Sequence, residues 1–261
     1  METAIIAAVA MLASVLTFFS GFGLGTLLTP VFAIFFPVEL AIALTGVVHF
    51  VNNIFILGLV GRHAVGKILL RFGIPAVIFA WLGAKVLVSL SDLQPLFTYA
   101  AFGSTFFVMP VKLIIAILLI FFAIADLFPL FEKWKFGEEK LPLGGALSGF
   151  FGGLSGNQGA FRSAFLIKIG LSKKAFIGTS VVIACFIDLT RLSVYSTRFF
   201  SAGLQENLQL VVIASLAAIC GAVVGNRLLK KITIDFIQKT VAVLHILIAL
   251  ALGLGWIKIF F

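Results

Sequence analysis

Residues 3–36 carry no charge, yet they are broken near their middle by "SGFGLGT"; residues 142–168 repeat the pattern around "GGLSGNQGAF". A transmembrane helix needs about 20 apolar residues to cross a hydrocarbon core of about 30 Å, whereas the first stretch drawn as one straight helix would be roughly 50 Å long. It must break and turn back. Each interrupted stretch is therefore a re-entrant hairpin or two short spans, and either way both of its ends emerge on one side of a bilayer.

Between and after them lie long apolar runs at about 40–60, 67–90, 110–130, 174–198, 207–229 and 236–258. With 62% hydrophobic and 11% charged residues, the chain carries more apolar surface than a soluble core of 261 residues could bury. This is the composition of an integral membrane protein. The formal net charge of +9 does not point to nucleic acid, because the basic residues sit in short connectors and form no basic arm or face. Glu2 makes the extreme N-terminus acidic, and glycines follow where a mature domain would begin, so residues 3–19 are read as a retained segment instead of a cleaved signal. Cys185 and Cys220 fall inside apolar runs, where a cysteine is usually a small hydrophobe.

The order of elements repeats. Residues 1–130 read as a broken hairpin followed by three spans, residues 131–141 as a polar cytoplasmic linker, and residues 142–261 as a second broken hairpin with three spans. Short matches accompany the order: "AIALTGVV" from Ala41 aligns with "AFIGTSVV" from Ala175, and Gly83-Ala84 with Gly221-Ala222. A hairpin adds no net crossing and three spans add an odd number, so the second half enters from the opposite side. The expected fold is an all-α polytopic membrane protein of two inverted repeats, as in secondary transporters. The connectors around Arg62, Lys67 and Arg71, around Lys133, Lys135 and Lys140, around Lys168, Lys173 and Lys174, and around Arg227, Lys230, Lys231 and Lys239 share one side of this topology. The positive-inside rule makes that side cytoplasmic and puts both termini outside it. Residues 95–107, with Pro95, Tyr99 and a cluster of Phe, are too short to span and are expected at the outer interface.

A glycine break at mid-membrane exposes backbone that hydrocarbon cannot satisfy, and the half-helix beginning there presents N–H groups and a partial positive charge. In the second break Ser155, Gly156, Asn157, Gln158 and Arg162 add donors and a positive charge, the makings of an anion pocket. Arg162 can alternatively snorkel towards Lys168, and Asn157 and Gln158 can simply cap the half-helix. The first break contributes mainly backbone, at Gly23, Gly25 and Thr26, and the following span adds His49 and Asn52 at helical spacing from Thr45, with Asn53 beside them. In the matching span Asp188 and Arg191, three residues apart, are read as a structural ion pair. His49, His63 and His245 lie far apart with no metal-ligand spacing, and no nucleophile–base set or carboxylate pair sits at mid-membrane, so no catalysis, metal or cofactor is expected.

Two glycine-rich broken segments, each followed by a short apolar helix and then an A-x-x-x-T span (Ala41–Thr45 and Ala175–Thr179), resemble the TauE/SafE family of sulfite and sulfonate exporters over essentially the whole chain. The resemblance implies transport of sulfite, sulfoacetate or related organosulfonates across the inner membrane. The second break departs from the family's denser glycine run, carrying "GNQGAFRSAFL" instead. The expected partners are a small anionic substrate and the lipid bilayer, with a proton or other ion as a candidate for coupling and a homo-oligomer as a candidate assembly; nucleic acid is excluded.

Overall fold

The computed structural model describes residues 2–20, 24–101, 103–127, 137–199, 206–228 and 234–256. The first broken stretch forms α1 (Glu2–Ser20) and α2 (Leu24–Phe35), and α3 (Val38–Val60) follows. A 3-10 turn at Gly61–His63 leads through α4 (Gly66–Ile68) and a π-helical turn at Leu69–Gly73 into α5 (Ile74–Ser91). The π-turn has a local cause. Pro75 has no N–H to donate to the Arg71 carbonyl and its ring crowds that turn, so the helix widens just before it. Beyond lie α6 (Pro110–Leu127), the halves of the second break, α7 (Leu141–Ser155) and α8 (Gly159–Lys168), and then α9 (Lys173–Phe199), α10 (Leu208–Leu228) and α11 (Ile234–Gly253). The protein is an all-α membrane protein. Among the described residues, Leu40–His63, Gly66–Ser91, Lys173–Ser196 and Leu208–Gly225 are long and apolar enough to cross a bilayer.

Residues 95–107 depart from the helical pattern in a way their length did not foretell. Phe97–Ala101 (β1) and Ser104–Val108 (β2) pair antiparallel from Phe97 opposite Val108 to Ala101 opposite Ser104, and Gly103 turns between them at φ 71°. Alternation puts Tyr99 and Phe106 on one face, where their rings stack 5.2 Å apart. The Tyr99 hydroxyl donates to the Leu254 carbonyl at 2.6 Å, fastening the hairpin to the end of α11.

Helix pairing is reciprocal between the halves. α5 of the first half packs along α7 of the second, α10 of the second along α1 of the first, and the corresponding helices α3 and α9 pack on each other. Small residues permit this closeness, the general solution where lipid offers no hydrophobic drive for helix association. Gly145, Gly149 and Gly153 of α7 lie against the carbonyls of Phe72, Ala76 and Ala80, so that any side chain there would strike the backbone of the π-turn or of α5. Gly83 meets the Phe150 carbonyl and Gly221 the Met11 carbonyl. The glycine of each Gly-Ala pair noted in the sequence thus lies against the backbone of another helix.

Several connectors meet at one end of the bundle. There Glu138 accepts from Lys67 at 2.5 Å and Arg71 at 3.5 Å, and the Val65 N–H donates to Thr179 at 3.0 Å. The hydrogen bond from Lys67, its positive charge and that of Arg71 hold the Glu138 carboxyl below the usual carboxylate range. Leu141 at the start of α7 and Phe165 and Leu166 near the end of α8 share one apolar cluster with Ile68 and Phe72. The second broken segment therefore returns to the end from which it set out. The β-hairpin and the end of α11 lie together at another point of the bundle, joined by Tyr99 and by Gly255 against Phe107.

Candidate functional site

α7 ends because Gly156 adopts a left-handed conformation, φ 83° and ψ −7°, and its N–H returns to the Gly152 carbonyl at 3.1 Å. Three residues later α8 begins. The break lies deep in the bundle, with Ser155, Asn157, Gln158 and Arg162 all buried. Opposite it stands the start of α2: a Cβ placed on Gly25 would lie 3.2 Å from the Gly156 carbonyl oxygen and 3.7 Å from the Thr45 methyl carbon. The two broken segments meet there. Both half-helices, α2 and α8, direct their N-terminal ends into this region, the arrangement by which helix dipoles favour negative charge.

A buried hydrogen-bond network centres on Asp188 of α9. Its Oδ2 accepts from His49 Nδ1 at 2.6 Å and from Asn53 Nδ2 at 3.1 Å, both on α3; its Oδ1 accepts from Gln158 Nε2 and from Arg191 Nε, each at 3.0 Å. A carboxylate offers about four acceptor positions, and here each is used. The carboxylate also selects the His49 tautomer, since the 2.6 Å contact requires the proton on Nδ1. Gln158 bridges two charges: its amide N–H₂ serves Asp188, and its oxygen accepts from Arg162 Nη1 at 3.1 Å. A flipped amide would place donor against donor at the guanidinium. Ser148 donates to the Gln158 backbone carbonyl at 2.7 Å, and Tyr195 donates to that of Gly153, so the backbone on both sides of Gly156 is held.

The residues singled out in the sequence separate into three groups. Gly25, His49, Gly156, Asn157, Gln158 and Arg162 come together around the crossing. Arg162 is 4% exposed and bonded to Gln158 one turn away, inside the bundle. Ser155 and Asn52 turn elsewhere. The Ser155 hydroxyl donates to the Phe151 carbonyl at 3.0 Å and accepts the Asn157 N–H at 3.4 Å, acting as a helix-end cap. Asn52 accepts from Ser14 of α1 at 3.4 Å, and it is Asn53, four residues beyond His49, that joins the network. Gly23 lies outside the described residues, and of Thr26 only the position in α2 is described.

Sequence reasoning missed Thr29 and Gly46. Thr29 lies one turn beyond Gly25 and its oxygen is 3.5 Å from where a Gly156 Cβ would stand; a Cβ on Gly46 would meet the Arg191 guanidinium carbon at 3.4 Å. Helical spacing from Gly25 could have found the threonine, whereas nothing local marks the glycine. The pair Asp188–Arg191 was legible from its i, i+3 spacing, but its connection to His49 and Gln158 was not.

Broken helices crossing around buried charge inside an apolar helical bundle define a polytopic membrane transporter. The sequence matches the family described as sulfite exporter TauE/SafE over residues 6–252, and the chain belongs to that family. No curated protein and no solved structure matches it.

Proposed function

We propose that the protein moves a small sulfur-containing anion, such as sulfite, sulfoacetate or a related organosulfonate, across the inner membrane in the export direction by alternating access. The observation that carries this reading is the meeting of the α2 and α8 N-terminal ends at Gly25 and Gly156, inside the bundle and beside a buried guanidinium. Asn157, Gln158 and Arg162 belong to that site, with His49 acting through Asp188. The reciprocal pairing of α1 with α10 and α5 with α7 supports two inverted repeats, which would rock against each other around the crossing. Purified protein screened by thermal shift against sulfite, thiosulfate, sulfoacetate, taurine, sulfate and simple carboxylates tests the substrate class. Stabilisation by sulfite or an organosulfonate, rising with concentration and exceeding that by carboxylates, is the expected result. A response to carboxylates alone would replace the sulfur anion with another substrate.

The basic connectors are cytoplasmic in this reading, and both termini lie outside the cytoplasm. Cysteines introduced at Arg62 and Lys173, in a background lacking Cys185 and Cys220, are expected to react with an impermeant maleimide only after the cells are opened. A cysteine at Gly103, in the hairpin turn, is expected to react in intact cells. Reversal of either result would invert the orientation, and opposite accessibility of positions 62 and 173 would break the inverted repeat.

A further inference from the structure

The Asp188–Arg191 pair has the look of a structural ion pair, yet it leaves part of the arginine unused. Arg191 is fully buried; Nε bonds to Asp188, Nη1 makes a long 3.5 Å contact to the Gly152 carbonyl, and Nη2 lies 2.8 Å from Asp188 Oδ1 without making a hydrogen bond. The Nη1–Nη2 edge faces the crossing. Nη1 is 3.0 Å from the position a Gly156 Cβ would take, and Nη2 is 3.4 Å from that of Gly46, the neighbour of Thr45.

Three residues around the crossing carry further side-chain donors with nothing to bond. Thr29 Oγ1, Thr45 Oγ1 and Asn157 Nδ2 are buried and make no hydrogen bond within the protein. Each such group costs free energy if it stays unpaired, and natural cores seldom keep even one without a reason. The residues that carry them are close together: Thr29 Oγ1 lies beside Gly156, the Thr45 methyl faces Gly25, and Asn157 directly follows Gly156. The buried charged groups among the described residues add to the pattern, since the single carboxylate of Asp188 stands against the two guanidinium groups of Arg162 and Arg191. Unpaired donors, positive charge and two helix N-terminal ends all call for the same thing, an anion.

We propose that the anion is held by the Arg191 guanidinium between the N-terminal ends of α2 and α8, with Thr29, Thr45 and Asn157 completing its donor set. Arg162 has a different task. It fixes Gln158, and Gln158 together with His49 and Asn53 fixes Asp188, which sets the plane of the Arg191 fork. An –SO₃ group suits this donor set, since its three oxygens point in different directions towards the guanidinium, both hydroxyls and the amide, whereas the acceptor positions of a carboxylate lie in one plane. The assignment rests on the anion-transport reading above and names the residues that serve it.

The test measures sulfite and sulfoacetate affinity by calorimetry on the purified full-length protein, alongside its melting temperature. Thr45→Val and Thr29→Val remove a hydroxyl that bonds to nothing in the protein, so each variant is expected to fold with an unchanged or higher melting temperature. Each is nevertheless expected to bind the probe at least about tenfold more weakly, the loss of a hydrogen bond to a charged group. Arg191→Lys keeps the charge but loses the fork, and is expected to weaken binding about thirtyfold or more. Losses with both probes assign the –SO₃ group as the element recognised, and losses with sulfite alone restrict the site to the free anion; both support the assignment. Wild-type affinity in both threonine variants and in Arg191→Lys would overturn it while leaving anion transport standing. Absence of binding by the wild-type protein to either probe would overturn the transport reading and this assignment together.

Discussion

Asp188→Ala is expected to destabilise the protein by about 3–5 kcal/mol, the usual consequence of removing one partner of a buried charge pair. The reason lies in what remains. His49, Asn53, Gln158 and Arg191 would each lose an acceptor in a place water does not easily reach, and the Arg191 charge would be left without its carboxylate. Asp188→Asn should be little kinder, because an amide can accept on one side only and would turn its N–H₂ towards either His49 and Asn53 or Gln158 and Arg191, all of them donors. Thermal unfolding in detergent measures the effect, with a fall in melting temperature on the order of 10 °C expected for a chain of this size. Removing both charges should cost less than removing one, so Asp188→Leu combined with Arg191→Met is expected to recover much of the lost stability without recovering anion binding. A melting temperature for Asp188→Ala within a degree or two of wild type would show that Asp188 is not the centre of the network.

Gly156→Val is expected to abolish transport. At φ 83° an L-residue is strained whatever the space around it, by about 1–3 kcal/mol, and a β-branched one most of all. The new side chain would also grow 3.0 Å from Arg191 Nη1 and 3.5 Å from Thr29 Oγ1, into the proposed anion site. Gly25 provides a graded comparison on the other side of the crossing. Its Cβ would stand 3.2 Å from the Gly156 carbonyl, tight but with no positive φ, so Gly25→Ala should retain part of the activity and Gly25→Val should lose it. Sulfite flux in proteoliposomes, normalised to the amount of folded protein, reads all three. Wild-type flux through both valine variants would place the pathway away from the breaks.

The helix boundaries were legible because hydrophobic run length and Gly or Pro punctuation act locally. Pro37 precedes α3, Pro110 opens α6, Pro142 lies in the first turn of α7 and Gly156 ends it, each for a reason contained in its own backbone. The hairpin at 97–108 was recognised only as a segment too short to cross. Its strands are five residues each, and their pairing depends on Gly103 turning at positive φ between two apolar stretches that lack clear alternation with polar residues. The i, i+3 relation of Asp188 and Arg191 was equally local, and the structure contains that contact.

The amino-acid sequence by itself determined a polytopic helical membrane protein, the two broken segments, the family, and the concentration of polar groups near residues 155–162. Hydropathy, glycine content and charge placement act over one or two helical turns, and such properties survive in a linear reading. Tertiary structure alone decided which polar residues face one another. His49 and Asp188 are 139 positions apart, and Asn53 displaced Asn52 because α3 presents one side to α9 and another to α1. Those facings follow from how closely backbones approach, at Gly25 against Gly156 and along Gly145, Gly149 and Gly153 against the π-turn and α5. The absence of a side chain is visible in the sequence, but the partner that fills the space it leaves is chosen only when the helices pack.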